Sequence, residues 1–82
     1  MKYTVYVLKN QKGQLYKGMT NCLELRLAQH HNGLAHWTKN RGPFELVDKE
    51  EYDIKQEAQS RERFLKSGQG REYLKHFLKN GE

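Results

Sequence analysis

Residues 3–8 read Tyr-Thr-Val-Tyr-Val-Leu, an unbroken run of β-branched and aromatic side chains. A strand with one wet face alternates apolar with polar residues, so a run without alternation belongs to a strand covered on both faces. The chain has 82 residues, enough to bury roughly 60–65% of its unfolded surface. There is no room for a second core, and residues 1–82 are expected to form a single domain.

Turn and cap signals divide the remainder. Asn10-Gln11-Lys12-Gly13 supplies turn chemistry, with Gly13 free to take positive φ. Residues 14–19 return as a second strand ending near Gly18, which leaves Tyr6 and Tyr16 on either side of the turn, within reach of each other across the ladder. Asn21 with Glu24 has the spacing of a capping box that opens a helix to about His31, with Gly33 as its stop. Leu23, Leu27 and His30 fall on one stripe of that helix. Arg26 lies near its edge, at i, i+4 from His30.

Residues 32–43 are irregular, basic and aromatic, and end at Pro43. Phe44 to Lys49 reads as a third strand. Asp53 with Gln56 forms a second capping box, opening a helix from Ile54 to about Lys66 whose buried stripe is Ile54, Ala58 and Leu65. Ser67-Gly68-Gln69-Gly70 breaks it, and a last helix from Arg71 to about Lys79 places Tyr73, Leu74, Phe77 and Leu78 on one face. The predicted order is β-β-α-β-α-α, an α/β (α+β) fold in which a small sheet is covered by three helices.

The net charge of +5 favours a polyanionic partner. No window approaches the ~20 apolar residues of a membrane span, and the first residues lack a signal-peptide pattern. The one cysteine, Cys22, suits a reducing compartment. A cytoplasmic protein without a membrane partner is expected.

Glu62 stands out because it lies four residues after Ala58 and three before Leu65, beside the face that is otherwise apolar. A carboxylate there is expensive unless it is paired or binds a metal. It is read either as the partner of Arg26 or a neighbouring lysine, or as an oxygen ligand for Mg²⁺ or Mn²⁺ with water and phosphate completing the shell. Tyr6 and Tyr16 are core-filling strand residues or, with a cation nearby to lower their pKa, phenols that act on a hydrolytic water. Arg26 offers a planar fork for charge on a pentacovalent phosphate, or pairs with Glu24 or Glu62. His30 relays a proton, holds a phosphate or simply meets solvent. Lys17 beside Tyr16, with Trp37, Lys39 and Arg41 in the irregular segment, offers phosphate contacts and a stacking ring for nucleic acid. Cys22, His30 and His31 match no zinc spacing.

Four separated elements together resemble the signature of the GIY-YIG nuclease family. They are Val5-Tyr6-Val7, Tyr16-Lys17-Gly18-Met19-Thr20, Leu23-Glu24-Leu25-Arg26-Leu27-Ala28-Gln29-His30, and Glu57-Ala58-Gln59-Ser60-Arg61-Glu62-Arg63-Phe64-Leu65-Lys66. The likeness is greatest to small stand-alone members, related to the N-terminal nuclease domain of the excision-repair incision subunit. Thr4 stands where the first motif has Gly, Lys17 where the second has Ile, and Met19 where some relatives carry a lysine.

The resemblance implies a three-stranded antiparallel sheet with flanking helices and one Mg²⁺ or Mn²⁺ ion held by Glu62. It implies Tyr16 as general base or positioner of the water, and Tyr6 as a hydrogen-bond partner of the water or the scissile phosphate. Arg26 would stabilise the transition state, with His30 assisting. The expected function is a metal-dependent endonuclease acting on DNA, with RNA left open, in repair, recombination or processing. Sequence readout commonly buries about 1,000 Å² or more, so structure-selective or weakly specific cutting is expected of so small a chain unless a protein partner or a homodimer adds surface. The rival expectation is a nucleic-acid-binding module of the same fold that no longer cuts.

Overall fold

The computed structural model describes residues 2–32 and 43–80. Three strands, β1 (Tyr3–Asn10), β2 (Leu15–Thr20) and β3 (Phe44–Tyr52), form an antiparallel sheet in the order β2-β1-β3. Three helices accompany them, α1 (Leu23–His31), α2 (Lys55–Lys66) and α3 (Gly68–Asn80), in the predicted β-β-α-β-α-α order. No helix among the described residues is long and apolar enough to cross a membrane.

The unbroken apolar run is the central strand, and every residue from Thr4 to Leu8 is buried. Alternation along β1 sends Val5 and Val7 to one face. There they pack with Ala58 and Leu65 of α2 and Leu74 of α3, each no more than 1% exposed. Tyr6 and Leu8 point to the other face, where α1 delivers His30. Asn10 shapes the β1–β2 turn with its own side chain. Its Oδ1 accepts from the Lys12 and Gln14 amides (3.0 and 2.9 Å), its Nδ2 donates to Gln14 Oε1 (2.7 Å), and Gly13 takes φ 82°.

The third strand runs to Tyr52 rather than stopping at Lys49. Its acidic end is held by α2, because Arg61 donates to both oxygens of Glu50 (Nε 2.8 Å, Nη2 3.1 Å) and the Tyr52 hydroxyl donates to the same carboxylate (2.7 Å). Val7 pairs with Asp48 but Leu8 with Leu46, so Val47 is a bulge residue, and it packs against the core.

Both capping boxes are out of phase. The first helix takes Cys22 as its N-cap, without a side-chain bond, and the Cys22 amide instead donates to Thr20 Oγ1 (3.1 Å). The second takes Ile54 as N-cap; Asp53 pairs with Lys2 (3.4 Å), and Ile54 is 53% exposed rather than part of a buried stripe. Spacing alone does not place an N-cap when tertiary packing fixes the first turn one residue later.

The last helix starts at Gly68, not Arg71. Ser67 serves both helices: its hydroxyl donates to the Phe64 carbonyl and accepts from the Gly70 amide (3.1 Å). A Cβ on Gly70 would lie 1.9 Å from that carbonyl oxygen and 2.5 Å from Leu65 Cα. Glycine is needed there because two backbones touch, not because a helix ends. Of the face expected on α3, Leu74 is buried while Tyr73 and Phe77 remain 37% and 41% exposed. They stack on each other (ring centroids 5.7 Å), and Tyr73 lies against Arg61 rather than the core.

Candidate active site

The cluster on the α1 face begins with a glycine. Gly18 is the register partner of Tyr6, and a Cβ there would lie 2.6 Å from the Tyr6 hydroxyl oxygen and 2.9 Å from the Tyr16 ring. Only a hydrogen at that position lets the Tyr6 ring lie over β2. Tyr16, two residues earlier on the same face, places its ring centroid 6.1 Å from that of Tyr6. His30 meets both rings edge-on, at 5.9 Å from Tyr6 and 5.1 Å from Tyr16.

One turn earlier on α1, Arg26 donates from Nε to the Tyr6 hydroxyl oxygen (3.3 Å) and from Nη1 to Gln29 Oε1 (2.9 Å). The Tyr6 oxygen lies 3.2 Å from His30 Nε2. Arg26 can only donate, so the phenol oxygen accepts from it. The Tyr6 hydroxyl thus links Arg26 on one side to His30 on the other. It fixes all three side chains.

Burial dominates the proton affinities. The Tyr6 phenol is pushed up to about 12 by desolvation, with the bond from Arg26 pulling the other way and losing. A phenol so raised, and 1% exposed, is no base at neutral pH; it positions its neighbours. His30 is driven below the ordinary histidine range by burial first, then by the charge of Arg26 and by His31. Arg26 is held protonated more firmly by its bonds to Tyr6 and Tyr16.

A lowered histidine has a definite consequence for stability. The unfolded chain binds the proton below about pH 6.5 while the folded one resists it. The stability tied to neutral His30 is thus complete above that pH and is lost as pH falls through it towards the lower folded-state value. His30→Gln, whose amide can still meet Tyr6, is expected to flatten the fall in Tm between about pH 7.5 and 5. Equal slopes in variant and wild type would show that His30 titrates normally.

Glu62 lies on α2, the helix that packs on the Val5–Val7 face of the sheet. It is 24% exposed and pairs with Lys66 (3.4 Å) across one turn of α2, which identifies its partner as a lysine rather than Arg26. An i, i+4 pair of this kind contributes roughly 0.3–0.5 kcal/mol. Lys17 alternates away from Tyr16 toward α2; burial first, then Arg71 and Lys66, lower its hold on its proton. The edge strand β2 therefore carries Tyr16 on one face and on the other a lysine close to the Glu62–Lys66 pair. Among the described residues no three or more His, Cys, Asp or Glu side chains group as a metal cage. Trp37, Lys39 and Arg41 lie outside the described residues.

Four of the five expected catalytic side chains thus share one cluster, whereas Glu62 stands on α2, the helix packed on the opposite, Val5–Val7 face of the sheet. Two further neighbours, Gln29 and Phe44, complete the cluster. Gln29 was findable, three residues after Arg26 on the same helix. Phe44, which meets His30 (5.6 Å) and stacks on His31 (4.5 Å), had no signal in the sequence because its contact is made across the fold.

A three-stranded sheet that crosses two tyrosines over a glycine and clamps them with a helix arginine and histidine defines a GIY-YIG catalytic domain, and that family matches residues 2–75. The chain belongs to the GIY-YIG family, as one of its small UPF0213 proteins. It is 49% identical to a UPF0213 protein of Clostridium perfringens over 63 residues, covering 76% of this chain and 68% of the relative. A Staphylococcus saprophyticus UPF0213 protein is 39% identical over 75 residues, covering 90% and 92%. The solution structure of a UPF0213 protein from Bacillus halodurans superposes with a TM-score of 0.59 at 34% identity, over 94% of this chain and 85% of that one. The GIY-YIG domain is a nuclease domain, so an endonuclease chemistry follows in outline, while the relatives' names specify neither activity nor substrate.

Proposed function

We propose that the protein is a divalent-metal-dependent endonuclease that hydrolyses DNA phosphodiester bonds with structure-selective or weakly sequence-specific cutting, in DNA repair, recombination or processing. The observation that carries this reading is the guanidinium of Arg26, immobilised by Tyr6 and Gln29 beside the half-exposed Tyr16. Its fork of donors is not exhausted by its bonds to Tyr6, Gln29 and Tyr16 and suits a phosphate in which negative charge is growing. Such preorganised donors act without having to reorient during the reaction.

Tyr16 is the phenol that positions the attacking water. The water oxygen bonds to phosphorus, its proton passes to solvent, the bond to the leaving strand breaks, and the departing oxygen takes a proton from solvent. Arg26 stabilises the equatorial oxygens. Tyr6 and His30 hold Arg26 and the Tyr16 ring in place, a positioning role in which the Tyr6 hydroxyl does not reach the phosphate.

Glu62 is a single hard oxygen donor. That fits Mg²⁺ or Mn²⁺, which keep several waters and use one or two carboxylates together with substrate phosphates; it does not fit a zinc cage. Glu62 would hold the ion, which when bound offsets charge developing on the phosphate.

The test is to incubate the pure protein with single-stranded, duplex and branched DNA, and with RNA, in Mg²⁺ or Mn²⁺. At least one DNA form is expected to be cut, and Arg26→Ala is expected to slow cutting by about 10²–10³-fold. Salt-sensitive binding with no scission in either ion would instead mark a module that only binds.

A further inference from the structure

Arg26 and Gln29 stand at i and i+3 on α1, neighbours on one surface of the helix, and both are half-buried. Arg26 Nη1 donates to Gln29 Oε1 at 2.9 Å. A guanidinium has no acceptor, so the carboxamide turns its oxygen to Arg26 and keeps both N–H donors of Nε2 for something else. Among the described residues Nε2 has no hydrogen-bond partner. No buried side-chain nitrogen or oxygen among them lacks a partner, so this amide group is open to solvent. A carboxylate in its place would hold the guanidinium more firmly, through a charge-assisted bond, but would cancel its charge. The amide fixes Arg26 and leaves it cationic.

The two side chains are close enough to meet one anion. The oxygen and nitrogen of an amide lie about 2.2 Å apart by its bond lengths, which puts Nε2 within roughly 5 Å of Arg26 Nη1. Donors at that separation reach two oxygens of one phosphate through ordinary bonds of about 2.7–3.2 Å. Tyr6 steadies the same guanidinium at Nε (3.3 Å), so the arginine side of the pair is already set. We infer that Gln29 is a substrate-binding residue whose Nε2 donates to a nonbridging oxygen of the phosphate that Arg26 engages. This rests on the reading of Arg26 given under the proposed function. Counterion release follows charge, so a neutral donor adds affinity and direction without adding to the salt dependence.

That difference separates a direct contact from an effect passed through Arg26. Binding of the intact protein to fluorescein-labelled single-stranded and duplex DNA oligonucleotides is followed by anisotropy over a range of salt, in EDTA. Arg26→Ala is expected to reduce the slope of log affinity against log salt by about 0.7–1. Gln29→Met is expected to weaken binding about three- to tenfold at every salt concentration and to keep the wild-type slope. Gln29→Glu, which still accepts from Arg26 but offers no donor, is expected to bind more weakly than Gln29→Met. A thermal melt checks that each variant is folded.

The inference is overturned if Gln29→Met binds like wild type, or if it loses as much slope as Arg26→Ala, which would confine Gln29 to holding the arginine. It is also overturned if Gln29→Glu binds at least as tightly as Gln29→Met, or if wild type binds neither oligonucleotide. Should the expected pattern appear while no DNA form is cut in Mg²⁺ or Mn²⁺, the phosphate contact stands and the endonuclease assignment falls. Cutting by wild type with Gln29→Met equal to it in binding and rate does the reverse.

Discussion

Glu62→Gln is expected to stop DNA cutting, lowering its rate by about 10³-fold or more, while the protein remains folded. The substitution keeps the shape of the side chain and removes only its charge, so any loss belongs to the carboxylate. Its structural burden is light. The side chain is partly exposed and its recorded partner is Lys66, itself 55% exposed. Losing that pair removes roughly 0.3–0.5 kcal/mol, which in a domain of this size lowers Tm by only about 1–4 °C. A neutral amide is a poor ligand for a hard cation, so a gel-based cleavage assay run beside a thermal melt separates chemistry from folding. Cutting at the wild-type rate by the glutamine variant would remove Glu62 from the cation site.

Gly18→Ala is expected to damage both stability and cutting. Two opposed effects are at stake. Alanine restricts the unfolded chain and by itself favours folding by roughly 0.4–1 kcal/mol. Against this, the new methyl would meet the Tyr6 hydroxyl oxygen at 2.6 Å, the carbon bearing it at 2.7 Å and the Tyr16 ring at 2.9 Å. A surface tyrosine would swing aside cheaply. Tyr6 is 1% exposed and anchored through its oxygen to Arg26 and His30, so it cannot move without breaking the chain that fixes Arg26. Overpacking of this kind costs about 1–3 kcal/mol, and the clash wins. A chemical melt should show the lower stability, with cutting reduced even at temperatures where the variant is folded. An alanine variant as stable and active as wild type would mean that the two phenols do not depend on that contact.

The sheet and its helices were legible because their signals are local. An unalternating run of bulky residues can only be a covered strand, and the Asn10–Gly13 turn fixes how the chain returns. What the residues concealed were boundaries and neighbours. Asn21 and Asp53 each have the spacing of a capping residue, yet packing starts the helices a residue later. Gly70 reads as a breaker although it is a contact between two backbones. The site divided in the same way. Tyr6, Tyr16, Arg26 and His30 were recoverable because register and helical spacing place them together. The attachment of Glu62 to Lys66 follows from spacing as well, being an i, i+4 pair on one helix, whereas the way α2 lies against the sheet is not encoded by periodicity along one segment. The raised pKa of Tyr6 has a related origin: a nearby guanidinium lowers a phenol's pKa, but the depth of burial that outweighs it is a property of the folded whole.

The third strand has a consequence for how the molecule meets its partner. Among the described residues one free edge of the sheet is β3, which carries Glu45, Asp48 and Glu51 against Lys49, its Glu50 being held by Arg61, in a chain whose overall charge is +5. A polyanion colliding with that border is repelled and one arriving at the opposite border is attracted, so encounters are sorted by direction before any bond forms. Among the described residues the outer backbone of β3 has no strand partner, and charged side chains along such an edge disfavour its pairing with another chain.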